Sequence, residues 1–440
     1  MGSSSTLRLK RDSHRLRLLF CDNLSIARGK YLPLSGSSSG SSRFCRTTFG
    51  VHYDKDLLNA PGAMMKEGLP DMEARYEGSE VRPGWERNTS VVVGDLFDHH
   101  DNPLDLCGRG ALKRAVRAWN EFGLDPVIGI ELECFAFTHN ENGRIIPYPT
   151  PGAVVYGTGA FADPLRFTEA IWDKACELGF KLEMLTAEYD APQFEFTLGC
   201  DSAVNAVDDI FLFRLMAREI ALEFGVLLSF LPKPMAAAGG SGMHVNLSFR
   251  TDDGTNALGD RNGTEPEEIN DLAKGCLAGF MRHHKGLAGL VAPTANSYAR
   301  LQPASLSGYW QNWGGDHRGV TARVSSETGA KARLEHRMAD CSANPYIAVA
   351  AVLQAARLGV SGSYKLQPAE TGDCFDKVDA KSGVAPNLAK AMDDLERDTE
   401  LANAVGRGLV DNLLFMKRKE FQKTRDLEGE ELRDFYIHFI

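Results

Sequence analysis

The run Ile130-Glu131-Leu132-Glu133-Cys134-Phe135 constrains this chain more than any other segment. Side chains repeat every two residues along a strand, so Glu131 and Glu133 share one face while Leu132 and Cys134 share the other. Such a strand needs a core on one side. On the other it needs something to neutralise two adjacent carboxylates. A hard divalent cation does this well. A solvated sheet surface also does it, and the pair alone leaves both open. Several further strands alternate charged with apolar residues, and strands alternate with helices. The expectation is an α+β fold whose large catalytic unit is built on an antiparallel sheet with one polar face.

Local patterns place the elements. Leu18-Leu19-Phe20, a turn at Asp22-Asn23 and Gly29-Lys30-Tyr31-Leu32 predict a hairpin. Ser35 to Ser42 reads as a Gly/Ser-rich loop, and Val91-Val92-Val93 closes a small sheet-rich region. Ala111, Leu112, Ala115, Val116, Trp119 and Phe122 then recur at helical spacing, ahead of a strand over Val127–Phe137. Asp201 is placed to cap a long helix through Phe224, with Gly225 as its stop. A strand over Val226–Leu231 ends at Pro232-Lys233-Pro234. Thr264 and Glu267, with Pro266 in the first turn, form a capping-box pattern for another helix. There is no internal repeat.

Composition narrows the function classes. With 59 acidic and 49 basic residues the formal net charge is -10, which argues against a general nucleic-acid binder. The 9 cysteines have no regular spacing and read as reduced thiols. No apolar run reaches the roughly 18–20 residues that span a bilayer. Met1 to Arg17 is polar and basic and lacks the apolar stretch of a signal peptide. The expectation is a cytoplasmic protein with no membrane partner.

Four more motifs carry chemistry. In Glu188-Tyr189-Asp190-Ala191-Pro192-Gln193-Phe194-Glu195 the Asp-Ala-Pro run predicts a tight bend that brings Glu188 and Glu195 together; an ordinary polar hairpin reads the same way. Gly239-Gly240-Ser241-Gly242 lets backbone approach a ligand and leads into His244, Asn246 and Ser248 on one strand face. Arg333, Glu335 and Arg337 are either a cross-strand salt-bridge surface or a metal carboxylate flanked by phosphate-binding guanidiniums. Between Arg300 and the pair Arg318 and Arg323 lies Tyr309-Trp310-Gln311-Asn312-Trp313, with two of the chain's five tryptophans. That stretch is a packed loop or the wall of a substrate pocket.

Taken together and in this order, the motifs resemble glutamine synthetase and its γ-glutamyl-amine ligase relatives, among them γ-glutamylpolyamine synthetase. The resemblance runs from about Leu18 to the C-terminus. It is anchored at Ile130–Phe137, Lys233–Ser248, Asn296-Ser297-Tyr298-Ala299-Arg300-Leu301, and Ala332 through Ser342-Ala343-Asn344-Pro345-Tyr346. It implies a β-grasp domain over residues 15–105 after an extension of residues 1–14, and a catalytic α+β domain over 106–440. It further implies ATP as co-substrate and Mg²⁺ or Mn²⁺, two or more per site. By position, Glu133, Glu188 and Glu195 match one metal set, and Glu131, His244 and Glu335 the other. Gly240, Arg300 and Arg337 match the substrate-carboxylate residues. Arg318, Arg323 and Arg333 match the phosphate-binding arginines, with Arg318 on the transferring phosphoryl group. Asn246, Ser248 and Glu183 fall where the family contacts nucleotide. The resemblance also implies a homo-oligomer of two stacked rings, typically a dodecamer, in which the segment near Phe49 to Asp56 completes a neighbour's site.

Departures from the pattern bear on the amine. Ammonia-using members carry a glutamate where this chain has Leu306, and an aspartate where it has Gly50, with Asp54 or Asp56 as possible substitutes. Leucine neither binds ammonium nor removes its proton. Leu306, with Tyr309, Trp310 and Trp313, implies a larger and more apolar amine. Gly239 replaces an asparagine, which weakens the case for glutamate as the acid. The expected activity is an ATP-dependent carboxylate–amine ligase that forms a γ-glutamyl amide through γ-glutamyl phosphate. Glutamine synthetase itself and a non-catalytic relative are the alternatives. A non-catalytic relative has no need to keep six mutually repelling or uncompensated metal ligands.

Overall fold

The structure is a computed structural model that describes residues 13–34, 39–65, 68–260, 263, 265, 268–375 and 383–440. Its N-terminal part holds two small sheets. In the first, β1 (Arg15–Cys21) pairs antiparallel with β2 (Ala27–Pro33). The turn between them is made by Asp22, whose Oδ1 accepts from the backbone N–H groups of Leu24 and Ile26 at 2.9 Å each. A short acidic side chain that satisfies its own turn is a reason for this sequence to reverse here. The second sheet is formed by β3 (Gly40–Cys45) and β4 (Asp71–Tyr76). β5 (Arg82–Pro83) and β6 (Thr89–Val93) complete the first, in the order β2-β1-β6-β5, with β6 parallel to β1. β7 (Asp95–Phe97) pairs with β4.

The larger part is built on one nine-stranded sheet. Its spine is β8 (Asp125–His139), the long strand that carries the paired glutamates. β9 (Ile145–Pro147) folds back on its end. β10 (Leu182–Ala187) and β11 (Gln193–Ser202) form a hairpin beside it, β12 (Leu227–Ser229) pairs with its far end, and β13 (Met243–Arg250) lies on its other side. β14 (Trp313–Gly315), β15 (Ala322–Val324) and β16 (Leu334–His336) extend the sheet in the order β10-β11-β8-β13-β16-β15-β14. All pairs in it are antiparallel except β14 with β15. Ile128, Ile130, Leu132 and Cys134 are fully buried, and the helix Ala203–Glu223 packs on this side. Burying each aliphatic chain there contributes about 1.5–3 kcal/mol, which fixes the register and turns the glutamates to the opposite face.

Behind the sheet the apolar helix Pro345–Gly362 is buried among the helices Gly108–Asn120 and Asp271–Arg282, and its Leu353 carbonyl accepts the Trp119 indole N–H at 2.9 Å. No helix among the described residues is long and apolar enough to cross a membrane.

The structure corrects three local expectations, and a fourth falls outside the described residues. The serine-rich stretch is not loop throughout, since Gly40–Cys45 is strand β3, zipped to β4. Asp201 does not cap the helix that follows. β11 runs directly into that helix, so the Asp201 carboxylate turns across the hairpin to Lys181 at 2.5 Å. Ser202 is the cap residue, without a side-chain bond. The strand expected over Val226–Leu231 narrows to Leu227–Ser229, because only these residues reach β8. Thr264, Pro266 and Glu267 lie outside the described residues; the helix Asp271–Arg282 is capped by Asn270, which accepts from the Ala273 N–H at 2.9 Å.

Candidate functional site

Antiparallel register assembles the polar face residue by residue. Glu133 on β8 stands opposite Glu195 on β11, and Thr186 on β10 opposite Glu195. One pleat along, Glu131 is flanked by Thr197 and His244. Asn246 then pairs with Glu335, and Glu335 with Arg323. Residues in register share a face, so six strands converge on one acidic patch.

Ligand atoms of Glu131, His244 and Glu335 all lie within 4.8 Å of one another. His244 Nδ1 is 2.8 Å from Glu131 Oε2 and 3.6 Å from Glu335 Oε1, and its Nε2 is 3.7 Å from Glu133. Asn246 donates to Glu131 at 3.1 Å. Glu133 accepts from the Gly242 N–H at 2.8 Å and from Gln193 at 3.3 Å. Thr197 donates to Glu195 at 3.0 Å. Glu335 is buried and takes Arg323 at 3.0 Å and Arg337.

The electrostatics show a site short of positive charge. Burial, then the charges of Glu131 and Glu133, push the Glu195 carboxyl up to about 7. Burial and Glu133 likewise raise Glu188. Burial works to raise Glu131 too, but the hydrogen bond and charge of His244 hold it down at about 2. Burial and Arg337 oppose charge on His244, yet Glu131 and Glu133 raise its pKa. Crowded carboxylates of this kind accept a divalent cation in place of the shared proton. The oxygen-rich donor set with one imidazole fits Mg²⁺ or Mn²⁺.

Beside Glu131 opens a cavity of about 440 Å³, lined by Glu183, Asn246, Ser248, Glu327, Lys331 and Arg333 among others. Arg333 donates to Asn246 at 3.2 Å and pairs with Glu327. Arg333 and Arg337 sit just outside the three-residue strand β16, one on each side of Glu335. Arg300 ends a short helix, Ser297–Arg300. It is buried and donates to the carbonyls of Met338 at 2.8 Å and Arg337 at 3.1 Å. A Cβ on Gly240 would stand 2.6 Å from the Arg300 side chain, so glycine is what allows the two to meet. Arg318 is exposed in the loop between β14 and β15, and Asp316 in that loop binds Arg323.

The proposed amine wall divides. Leu306 is 48% exposed, and Tyr309 and Trp310 are half-buried with rings 4.8 Å apart. Trp313 is fully buried, and its indole N–H is used on the Gln367 carbonyl at 2.8 Å. It is a core residue of β14, which corrects its inclusion with the others. At Gly50 a Cβ would meet the Leu58 carbonyl at 2.5 Å, and Asp54 and Asp56 both pair with Lys423.

Three residues of the face were not singled out from sequence: Asp190, Gln193 and Thr197. Gln193 and Thr197 flank Glu195 two residues either way on β11, so the strand period alone was the available signal.

The profile of the glutamine synthetase catalytic domain matches residues 105–434. Glutamine synthetase from Pyrococcus horikoshii is 28% identical over 436 residues, covering 95% of this chain and 91% of that protein. The enzyme of the same name from Clostridium saccharobutylicum is 30% identical over 339 residues, covering 76% and 71%. A crystal structure described as a novel glutamine synthase homolog superposes with a TM-score of 0.83 at 24% identity, covering 97% of this chain and 99% of that one. Ligand-free GmaS does so with 0.82 at 24%, covering 99% and 100%. The last two likenesses speak to the fold. The profile covers most of the chain and takes in the whole acidic face, so the protein belongs to the glutamine synthetase family, ATP-dependent ligases that use divalent metals.

Proposed function

We propose that this protein joins the γ-carboxyl of glutamate to an organic amine at the expense of ATP. The observation that carries the reading is the cluster of Glu131, His244 and Glu335 within 4.8 Å, opening on the cavity lined by Glu183, Asn246, Ser248 and Arg333. Glu131, His244 and Glu335 would hold one metal, and Glu133, Glu188 and Glu195 another. Bound there, the metals neutralise charge around the transferring phosphoryl group.

The chain's own residues do the rest. Glu183, Asn246 and Ser248 orient the nucleotide. Arg323 and Arg333 donate to phosphate oxygens, and the exposed Arg318 reaches the γ-phosphoryl group. Arg300, Arg337 and Gly240 hold the α-carboxylate of the acid so that its γ-carboxylate oxygen lies in line with that phosphorus. Attack gives the acyl phosphate and releases ADP. The neutral amine then adds to the acyl carbon, and phosphate leaves with the former carboxylate oxygen, taking up the proton that the nitrogen loses. Phosphoryl transfer of this sort depends on positioning and charge more than on covalent help, and water must be kept from the acyl phosphate.

Three features support an organic amine over ammonia. Leu306 offers an apolar, accessible side chain and no base. Gly50 has no room for an aspartate. Asp54 and Asp56 are already committed to Lys423.

The test is phosphate release from ATP with Mg²⁺ and glutamate, across ammonia, ethanolamine, methylamine, isopropylamine, putrescine, spermine and aniline. One organic amine far above ammonia is the expected result. Ammonia as the best substrate would sink the amine assignment and leave a glutamine synthetase. No metal-dependent nucleotide binding at all would make the protein a non-catalytic relative.

A further inference from the structure

The glycine loop that opens β13 has side chains of opposite charge packed against its glycines. At Gly240 and Gly242 the neighbour is Arg300: an added Cβ would meet its side chain at 2.6 Å and 2.7 Å respectively. At Gly239 the neighbour is a carboxylate. A Cβ there would lie 3.0 Å from Asp190 Oδ2 and 3.8 Å from Gln193 Oε1. Asp190 comes from the turn between β10 and β11, between Glu188 and Glu195, and its Oδ2 accepts the Gly239 N–H. Gln193 secures the same loop, donating to the Gly240 carbonyl at 3.0 Å and to Glu133 at 3.3 Å.

The chain thus lacks a side chain at 239, but the space over that residue is not apolar or empty. The tip of a neighbouring hairpin fills it with an anionic oxygen. Asp190 is half-buried, and only one of its oxygens is taken by the Gly239 N–H. Lys233 is the near cation, but burial lowers its pKa and its Nζ donates to the Ala238 carbonyl. The Arg300 guanidinium beside Gly242 and the Asp190 carboxylate beside Gly239 flank one loop with opposite charges, a complementary pair for a small zwitterion whose carboxylate and ammonium are two bonds apart.

We propose that Asp190 is a specificity-determining residue of the acid pocket, accepting a hydrogen bond from the α-ammonium group of the acid substrate while Arg300 takes its α-carboxylate. The inference rests on the reading that the glycine loop and Arg300 bind the acid. On that reading Asp190 supplies over position 239 the polar contact that a glycine side chain cannot. The bond to Gly239 alone would make Asp190 a structural fastener of the loop, and the two roles separate experimentally. Asp190→Asn keeps an oxygen acceptor for the Gly239 N–H but removes the charge that an ammonium recognises.

The experiment compares glutamate with glutarate, which has both carboxylates and no ammonium. Initial rates of phosphate release are measured for the full-length enzyme and for Asp190→Asn, with the best amine from the panel at saturation. The wild type is expected to favour glutamate. Asp190→Asn is expected to lose roughly 10- to 100-fold in kcat/KM for glutamate, the range of one charge-assisted hydrogen bond, through KM more than kcat, with glutarate turnover unchanged. Discrimination between the acids then collapses. Equal losses for both acids would overturn the proposal in favour of a structural fastener. A change confined to the KM of the amine would overturn it by moving Asp190 to the other pocket. If the wild type uses neither acid with any amine, the ligase reading falls first and the proposal with it.

Discussion

Glu335 is one buried carboxylate facing three partners. It stands 3.6 Å from His244 and accepts from both Arg323 and Arg337. Glu335→Gln keeps its shape and removes its charge. We expect kcat/KM to fall at least about 100-fold, the upper end of what changes merely adjoining a metal's ligands cost. The sharper readout is binding. Magnesium at 100 times its Kd should stabilise the wild type by about 2.7 kcal/mol, and Glu335→Gln should lose most of that gain in urea unfolding with and without Mg²⁺. An undiminished gain would remove Glu335 from the ligand set. Glu335 was legible in the sequence for a definite reason. Strand period is two, so Arg333, Glu335 and Arg337 read as one polar face from sequence alone; that face was equally a salt-bridge surface, and it was the family resemblance that implied a metal role for Glu335. Asp190 was not legible, because its meaning comes from a loop 49 residues later in the chain. Trp313 misled because aromatic density looks the same in a pocket wall and in a core.

At the scale of elements, sequence period identified the hairpin β1–β2, strand β8 and the helices Gly108–Asn120 and Ala203–Glu223. It did not show how elements meet. The helices Asp271–Arg282 and Pro345–Gly362 touch backbone to backbone behind the active face. A Cβ on Gly279 would stand 2.0 Å from the Ala355 carbonyl, and one on Gly359 2.1 Å from that of Gly275. Glycine in a helix interior ordinarily costs about 0.5–1 kcal/mol against alanine, so sequence alone marks these glycines as weak points. The crossing reverses the sign. Gly279→Ala should destabilise by about 3 kcal/mol or more, at the upper end of overpacking, because the obstacle is backbone and has no rotamer to yield. Chemical denaturation measures this directly. A stabilised Gly279→Ala would mean that the helices do not approach this closely in solution.

Across the whole molecule, the segment after Arg337 ties the active face to the N-terminal sheets. Arg214 donates to the Cys341 carbonyl and to Ser25, Ser25 donates to the Ala343 carbonyl, and Asn344 donates to the Asp22 carbonyl. All these groups are buried, where a hydrogen bond is costly to leave unmade. The two parts are therefore expected to lose structure together, and acid supplies a way to drive this. His284 is wholly buried at the start of the helix His284–Val291, with its Nε2 3.0 Å from the Tyr309 carbonyl. Burial pushes its pKa down to about 4, below the ordinary value near 6.5. Between those values the unfolded chain binds the proton and the folded one does not, so stability rises with pH. The contribution is intact above about pH 6.5 and is lost as pH falls toward 4, at about 1.4 kcal/mol per pH unit. His52 and His336, also lowered by burial, steepen the loss. His284→Gln keeps a donor for the Tyr309 carbonyl and removes the titration. Urea unfolding at pH 7, 6 and 5 should give a slope shallower than wild type by about that amount per unit between pH 6 and 5. Equal slopes would mean that His284 takes up its proton in the folded protein as readily as in the unfolded chain, and that the helix start is open to water.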